Sequence, residues 1–157
     1  MKRVAKIFVL TLLTVAPVAA QIKKEKQMEK REFSPWKWQD NLSYVQAVEV
    51  KNVQSTLYVS GQAAVHSDGT SSNADMRTQL ALAIQNLEKV ITEAGYEPKN
   101  IVRLTVYSTS SDEFIKNCFD LFQDFVAKHG MKQTVTLLQV VALYETLNIE
   151  LEATVVK

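Results

Sequence analysis

Leu147, Ile149, Leu151, Ala153 and Val155 alternate without a break with Asn148, Glu150, Glu152 and Thr154. Side chains on a strand point to opposite faces with a period of two, so this run predicts a strand with one apolar and one polar face. The apolar face needs a cover, and two segments are built to supply it. Met76, Leu80, Ala83, Ile84, Leu87 and Ile91 recur at helical spacing, as do Phe114, Cys118, Leu121, Phe122 and Phe125. Ser72 followed by Asp75 fits a capping box that starts the first helix near Asn73, and Gly95 ends it. Ser110 with Glu113 forms a second box, and Gly130 stops the second helix. Cys118 lies on the apolar stripe of that helix, which makes it a buried structural thiol rather than a nucleophile.

Further strands surround these helices. Tyr44–Val50 reads as one, Thr56–Ser60 as a second, and Gln62–Val65 continues it after Gly61. His66-Ser67-Asp68-Gly69 is a turn. Val102, Leu104 and Val106 alternate with polar neighbours, and Thr134–Leu143 is almost continuously apolar. Strands, helix, strand, helix, strands is an α+β order with both helices on one sheet face. The apolar run at Thr134–Leu143 implies that the other face is covered too. No third helix is available, so that cover is expected to be another subunit.

Not all 157 residues belong to this domain. Met1, Lys2, Arg3 and Lys6 precede fourteen uncharged residues, Ile7–Ala20, which end in Pro17 and then Val18-Ala19-Ala20. This is the three-part pattern of a secretory signal, too short for an ordinary membrane span of about 20 residues. The expectation is cleavage after Ala20 and an exported protein, periplasmic or secreted, that meets a membrane only through this segment. The alternative is an uncleaved anchor. Without residues 1–20 the formal charge falls from +1 to −2. Residues 21–32 are mostly charged and read as a solvated linker, which leaves 33–157 as the domain. Phe33, Trp36 and Trp38 suggest an arm packed on the domain or on a neighbouring subunit, with an aromatic ligand cage as the other reading.

The composition restricts the chemistry. One cysteine and two histidines leave no Cys-based zinc site and little room for a histidine site. A pI near 7.8 without a basic block gives no reason to expect a nucleic-acid partner. No phosphate loop or nucleotide fingerprint is present. His66 and Asp68 read as turn residues, and His129 as a cation suited to a helix C-terminus. What remains is Glu150 with Glu152, two carboxylates on one polar strand face. They would be either rim charges or, in a cleft, a water-positioning acid or base.

Tyr44-Val45-Gln46, Ser60-Gly61-Gln62, Asp68-Gly69, Gln79–Tyr96, Ile101–Tyr107 and Ile149–Val155 occur in an order and spacing that resembles the reactive intermediate deaminases, the RidA/YjgF family. The resemblance spans about residues 36–156. It implies a mixed sheet with two helices on one face, the YjgF/chorismate-mutase-like fold, assembled as a homotrimer with small-molecule clefts between subunits. It also implies hydrolysis of short-lived enamines or imines to a keto acid and ammonia, with neither metal nor organic cofactor. On the same resemblance Glu150 would activate water, Tyr44 and Ser60 would shape the cleft, and Asn117 would fall near a family asparagine. Deaminating members hold a substrate carboxylate with an arginine at the position of Val135. A related branch ending GxRPxSTLLGV has an arginine corresponding to Lys132, with Gln139 in place of its glycine. Valine cannot make the bidentate pair, and lysine offers only a point charge. Two readings follow: a divergent exported imine hydrolase, or a non-catalytic trimer that binds a small metabolite or acts as a protective protein.

Overall fold

In the computed structural model, which describes residues 26–157, the alternating C-terminal segment lies inside a four-stranded sheet. Its strands are β3 (Thr56–Ala63), β4 (Ile101–Ser108), β5 (Thr134–Gln139) and β6 (Ile149–Val156), in the order β3-β6-β4-β5. β6 runs antiparallel to both β3 and β4, while β4 and β5 are parallel, so the sheet is mixed. A parallel pair needs a long crossover. Here it is the continuous helical stretch of α2 (Ser111–Glu113), a π-helical turn (Phe114–Cys118) and α3 (Phe119–His129). The other helix, α1 (Met76–Glu93), follows β3. Strands β1 (Glu29–Phe33) and β2 (Ala47–Lys51) form a separate antiparallel ribbon. The signal segment proposed for residues 1–20 lies outside the described residues.

The apolar stripes read from the sequence meet in one core. Leu80, Ala83, Leu87 and Ile91 of α1 pack on Ile149, Leu151 and Val155 of β6 and Leu104 and Val106 of β4. Phe114, Cys118, Phe122 and Phe125 complete it from the second helical stretch. Leu80 and Leu87 are fully buried, a contribution of about 2 kcal/mol each. Burial also pushes the Cys118 thiol pKa up, in keeping with a structural thiol.

Several expectations need correction. Ser110 is the second N-cap as predicted, its Oγ accepting from Glu113 N at 3.2 Å, but Ser110 N donates to Ser108 Oγ rather than to Glu113, so the box is only half formed. The first cap is not Ser72 but Asp75, which accepts from Thr78 N at 2.9 Å, so α1 starts at Met76. The solvated linker contains a strand, because β1 pairs through its main chain with β2 while its side chains stay largely exposed. Such a strand has no hydropathic signal to read. Tyr44 precedes β2 rather than opening it. Trp36 and Trp38, 57% and 64% exposed, lie against each other with ring centroids 6.5 Å apart instead of packing down on the domain.

The most consequential correction concerns β5. It stops at Gln139, and residues 140–148 form a loop. Its register with β4 sets Val135 and Leu137 beside Leu104 and Val106, on the helix side. Thr134, Thr136 and Leu138 fall on the other side with Arg103, Thr105 and Tyr107. The open face is therefore a polar and aromatic mixture, with Tyr58 80% exposed, and β5 does not add to it the continuous apolar strip expected from Thr134–Leu143.

Candidate functional site

Strand alternation places Glu150 on the open face, level with Tyr107 of β4 and Ala63 of β3. β3 slips register between Val59 and Gln62, so Ser60 and Gly61 form an irregularity beside β6. The backbone of Gly61 comes so close to Glu150 that a Cβ at position 61 would overlap Oε1 and lie 2.9 Å from Cγ. Among the described residues the half-buried Glu150 carboxylate has no hydrogen-bond or ion-pair partner. Its neighbour Glu152 is engaged, because Tyr107 donates to it at 2.7 Å, and that bond raises the Tyr107 pKa. The two carboxylates of the sequence motif thus differ in role: one is tied to a phenol and one is held free beside bare backbone. A carboxylate with free lone pairs can take a proton from water or hold water for attack.

A second group forms on the helix side. Gln133 is fully buried, donates from Nε2 to Ser43 O at 2.9 Å and accepts Val45 N on its main-chain oxygen at 3.0 Å. These bonds fasten the segment carrying Tyr44 to the start of β5. Tyr44 then separates two cavities. One, of about 260 Å³, is lined by Leu42, Val135, Leu137 and aromatic side chains of the helical crossover. The other, of about 240 Å³, contains Lys132, Asp40 and Ser43.

The predicted site residues accordingly fall into two sets. Ser60 and Glu150 lie on the open face, with Gly61, the residue after Ser60 on β3, against the Glu150 carboxylate. Tyr44, Lys132 and Val135 lie together on the helix side of edge strand β5. Two strand positions and the thickness of the sheet separate the sets within one chain. Asn117 joins neither: it is exposed in the π-helical turn, and its main-chain oxygen accepts from Arg77 Nη1 at 2.6 Å. His66 and Asp68 serve the turn as expected, Asp68 accepting from Thr70 N and Oγ1. His129 lies 2.6 Å from Glu88 Oε1 through Nε2. Among the described residues no cluster of His, Cys, Asp or Glu could hold a metal ion.

The sequence reading missed two contributors. Gly61 was read as an interruption of its strand and as part of the Ser60-Gly61-Gln62 motif, without a role beside Glu150, although a glycine inside a strand pattern can also mark close backbone approach. Arg77 was not singled out at all. It forms a bidentate pair with Asp120 at 2.6 and 2.8 Å while bonding Asn117 O, so it ties the π-helical turn to the start of α1. The Arg77 guanidinium holds the Asp120 carboxyl down at about 2, against 3.8 for a free side chain. A depressed carboxyl favours the folded state above its unfolded pKa, and that contribution disappears as pH falls through the folded value. Asp120→Asn should therefore lower the unfolding midpoint at pH 7, and its difference from wild type should shrink between about pH 4 and pH 2. Thermal unfolding over that range checks it; a constant difference would contradict it.

With this geometry in place, comparison with known proteins decides the kinship. The family described as Endoribonuclease L-PSP, the YjgF/RidA family, matches residues 39–157. The chain belongs to this family. The match includes both residue sets described above and leaves out β1. Among YjgF/RidA relatives, a RutC family protein of Aquifex aeolicus is 27% identical over 114 residues, 73% of this chain and 88% of the relative. Escherichia coli TdcF, provisionally named a reactive intermediate deaminase, is 27% identical over 115 residues, 73% of this chain and 86% of its own. The structure of Rid-family protein YyfB from Yersinia pestis superposes with a TM-score of 0.68 at 27% identity, covering 82% of this chain and 98% of that one. E. coli TdcF with bound serine superposes with a TM-score of 0.60 at 27% identity, covering 73% and 87%. The YjgF-like mixed sheet with two helices is thus established on both sequence and structural grounds.

Proposed function

We propose that this YjgF/RidA protein hydrolyses small imines or enamines in a cleft completed by a second subunit of a homotrimer. The observation that carries the reading is the Glu150 carboxylate, unpaired among the described residues and seated where Gly61 offers no side chain. In the proposed step water adds to the C=N carbon as Glu150 takes a proton from it. The nitrogen is then protonated and leaves as ammonia, so that imine and water become carbonyl compound and ammonia. The separation of Glu150 and Ser60 from Tyr44 and Lys132 within one chain supports a shared cleft, in which one subunit supplies the first set and its neighbour the second. The name of TdcF and the serine bound to it favour a small metabolite as ligand.

The test is release of ammonia from imines generated enzymatically in the presence of pure protein. Glu150→Gln should lower the protein-dependent rate by roughly 10²-fold or more, the usual scale of a general acid–base group. Mixed trimers of Glu150→Gln and Tyr44→Ala chains should recover part of the activity, because some clefts then receive both intact halves. Wild-type protein that leaves every imine at its buffer rate would instead establish the second reading, a non-catalytic binder. That reading is favoured by Val135, which stands in an apolar cavity where the deaminase resemblance implied an arginine.

Export is proposed on the same footing. The mature protein should begin at Gln21, and N-terminal sequencing of the exported product that returned Met1 would contradict cleavage.

A further inference from the structure

We propose that the cavity on the β5 side of Tyr44 accepts an uncharged apolar substituent, so that the preferred ligands are imines carrying an aryl or branched alkyl group. The cavity is built from Leu42, Val135 and Leu137 on one side and Phe114, Ile115 and Phe119 on the other. No lysine, arginine, aspartate or glutamate is among its lining residues. A carboxylate placed there would lose its hydration without gaining a partner, which strongly disfavours an anion. Charge is found instead across Tyr44, where Lys132 and Asp40 line the neighbouring cavity.

Size and access agree with an apolar guest. An engineered apolar cavity of about 150 Å³ already binds benzene, so 260 Å³ has room for a phenyl ring with a short linker. The π-helical turn shapes the opening. Phe114 is buried at its base, whereas the adjacent Ile115 is 52% exposed at the rim. Tyr44 lines both cavities, and so stands where the apolar part of a ligand would meet its polar end.

This inference rests on the hydrolase reading for turnover, and the test separates the two. Binding of phenylacetamide, a stable neutral probe, and of serine is measured by calorimetry on the full chain, with Ile115→Trp at the rim and Val135→Arg in the wall as variants. Hydrolysis is compared for the imine made from 2-phenylethylamine by an amine oxidase and for 2-aminoacrylate made from serine by a dehydratase. Phenylacetamide should bind at least tenfold more tightly than serine, and either variant, shown folded by circular dichroism, should weaken it at least tenfold. The aryl imine should be accelerated at least tenfold more than 2-aminoacrylate. Absence of phenylacetamide binding, or binding that Ile115→Trp leaves unchanged, overturns the inference whatever the turnover. Faster hydrolysis of 2-aminoacrylate overturns it while sustaining the hydrolase reading. Variant-sensitive phenylacetamide binding with neither substrate hydrolysed supports the cavity assignment and removes the hydrolase reading for these two substrates.

Discussion

Gln79→Leu is expected to destabilise the protein by about 3 kcal/mol, although leucine matches the size, burial and helix propensity of the residue it replaces. Gln79 is fully buried within α1. Its Nε2 donates to Ala74 O at 2.9 Å, Thr146 O at 3.0 Å and Ser72 O at 3.3 Å, and its Oε1 accepts from Asn148 N at 2.7 Å. One side chain thus joins the start of α1 to the loop that enters β6. Ser72 O keeps a bond from Thr146 Oγ1 at 2.8 Å, but leucine leaves Ala74 O, Thr146 O and Asn148 N without their Gln79 partner. Each buried polar group left unsatisfied costs about 1–3 kcal/mol. For a chain of this size the melting temperature should fall by roughly 10 °C. Urea unfolding measures the loss, and a change below about 1 kcal/mol would show that water replaces these bonds freely. Hydrogen exchange at the Asn148 amide should accelerate along with it, because that amide loses its only acceptor among the described residues.

Gly61→Ala should act the opposite way, leaving stability near wild type while removing the proposed hydrolysis. The added Cβ would occupy the place of Glu150 Oε1, so the carboxylate must swing away. The displaced atoms are mostly the far end of a flexible side chain, and a strained rotamer there costs about 0.5–1.5 kcal/mol. The lower chain entropy of alanine in the unfolded state returns about 0.4–1 kcal/mol where the backbone conformation allows it. Catalysis is less forgiving, since a misplacement of about 1 Å can cost roughly 10²-fold. Gly61→Ala and Glu150→Gln should therefore lower imine hydrolysis by similar factors, and the double variant should lose little more than either alone. Full activity in Gly61→Ala would mean that the seat of the carboxylate beside bare backbone has no catalytic role.

Much of this architecture is legible as periodicity. The two helical stripes, the alternation from Leu147 to Val155 and the Ser110 cap all reappear in the fold, because each is a local pattern whose burial requires only a neighbouring apolar surface. Where the reading failed, a non-local effect decided the outcome. β1 carries charged side chains and exists through main-chain pairing with residues far along the chain. The apolar composition of Thr134–Leu143 suggested a strand buried on both faces, yet the strand ends at Gln139 and turns Val135 and Leu137 toward the helices. Gln79 lies on the buried face of α1 among apolar residues, and no spacing rule announces that its partners are backbone groups near Thr146.

The candidate site divides along the same line. By itself the sequence determined that Glu150 belongs to the polar face of a strand and that Lys132 precedes one, since side-chain alternation and chain order are local properties, while Tyr44, read as opening a strand, lies ahead of β2. Only the tertiary structure decided that Gly61 lies against Glu150, that Tyr44 stands between an apolar and a charged cavity, and that the two residue sets occupy opposite sides of one sheet. The physical reason is that cavities and close backbone approaches arise from segments distant in sequence. Their positions depend on strand register, on a β3 irregularity and on a π-helical turn, none of which has a hydropathic signature.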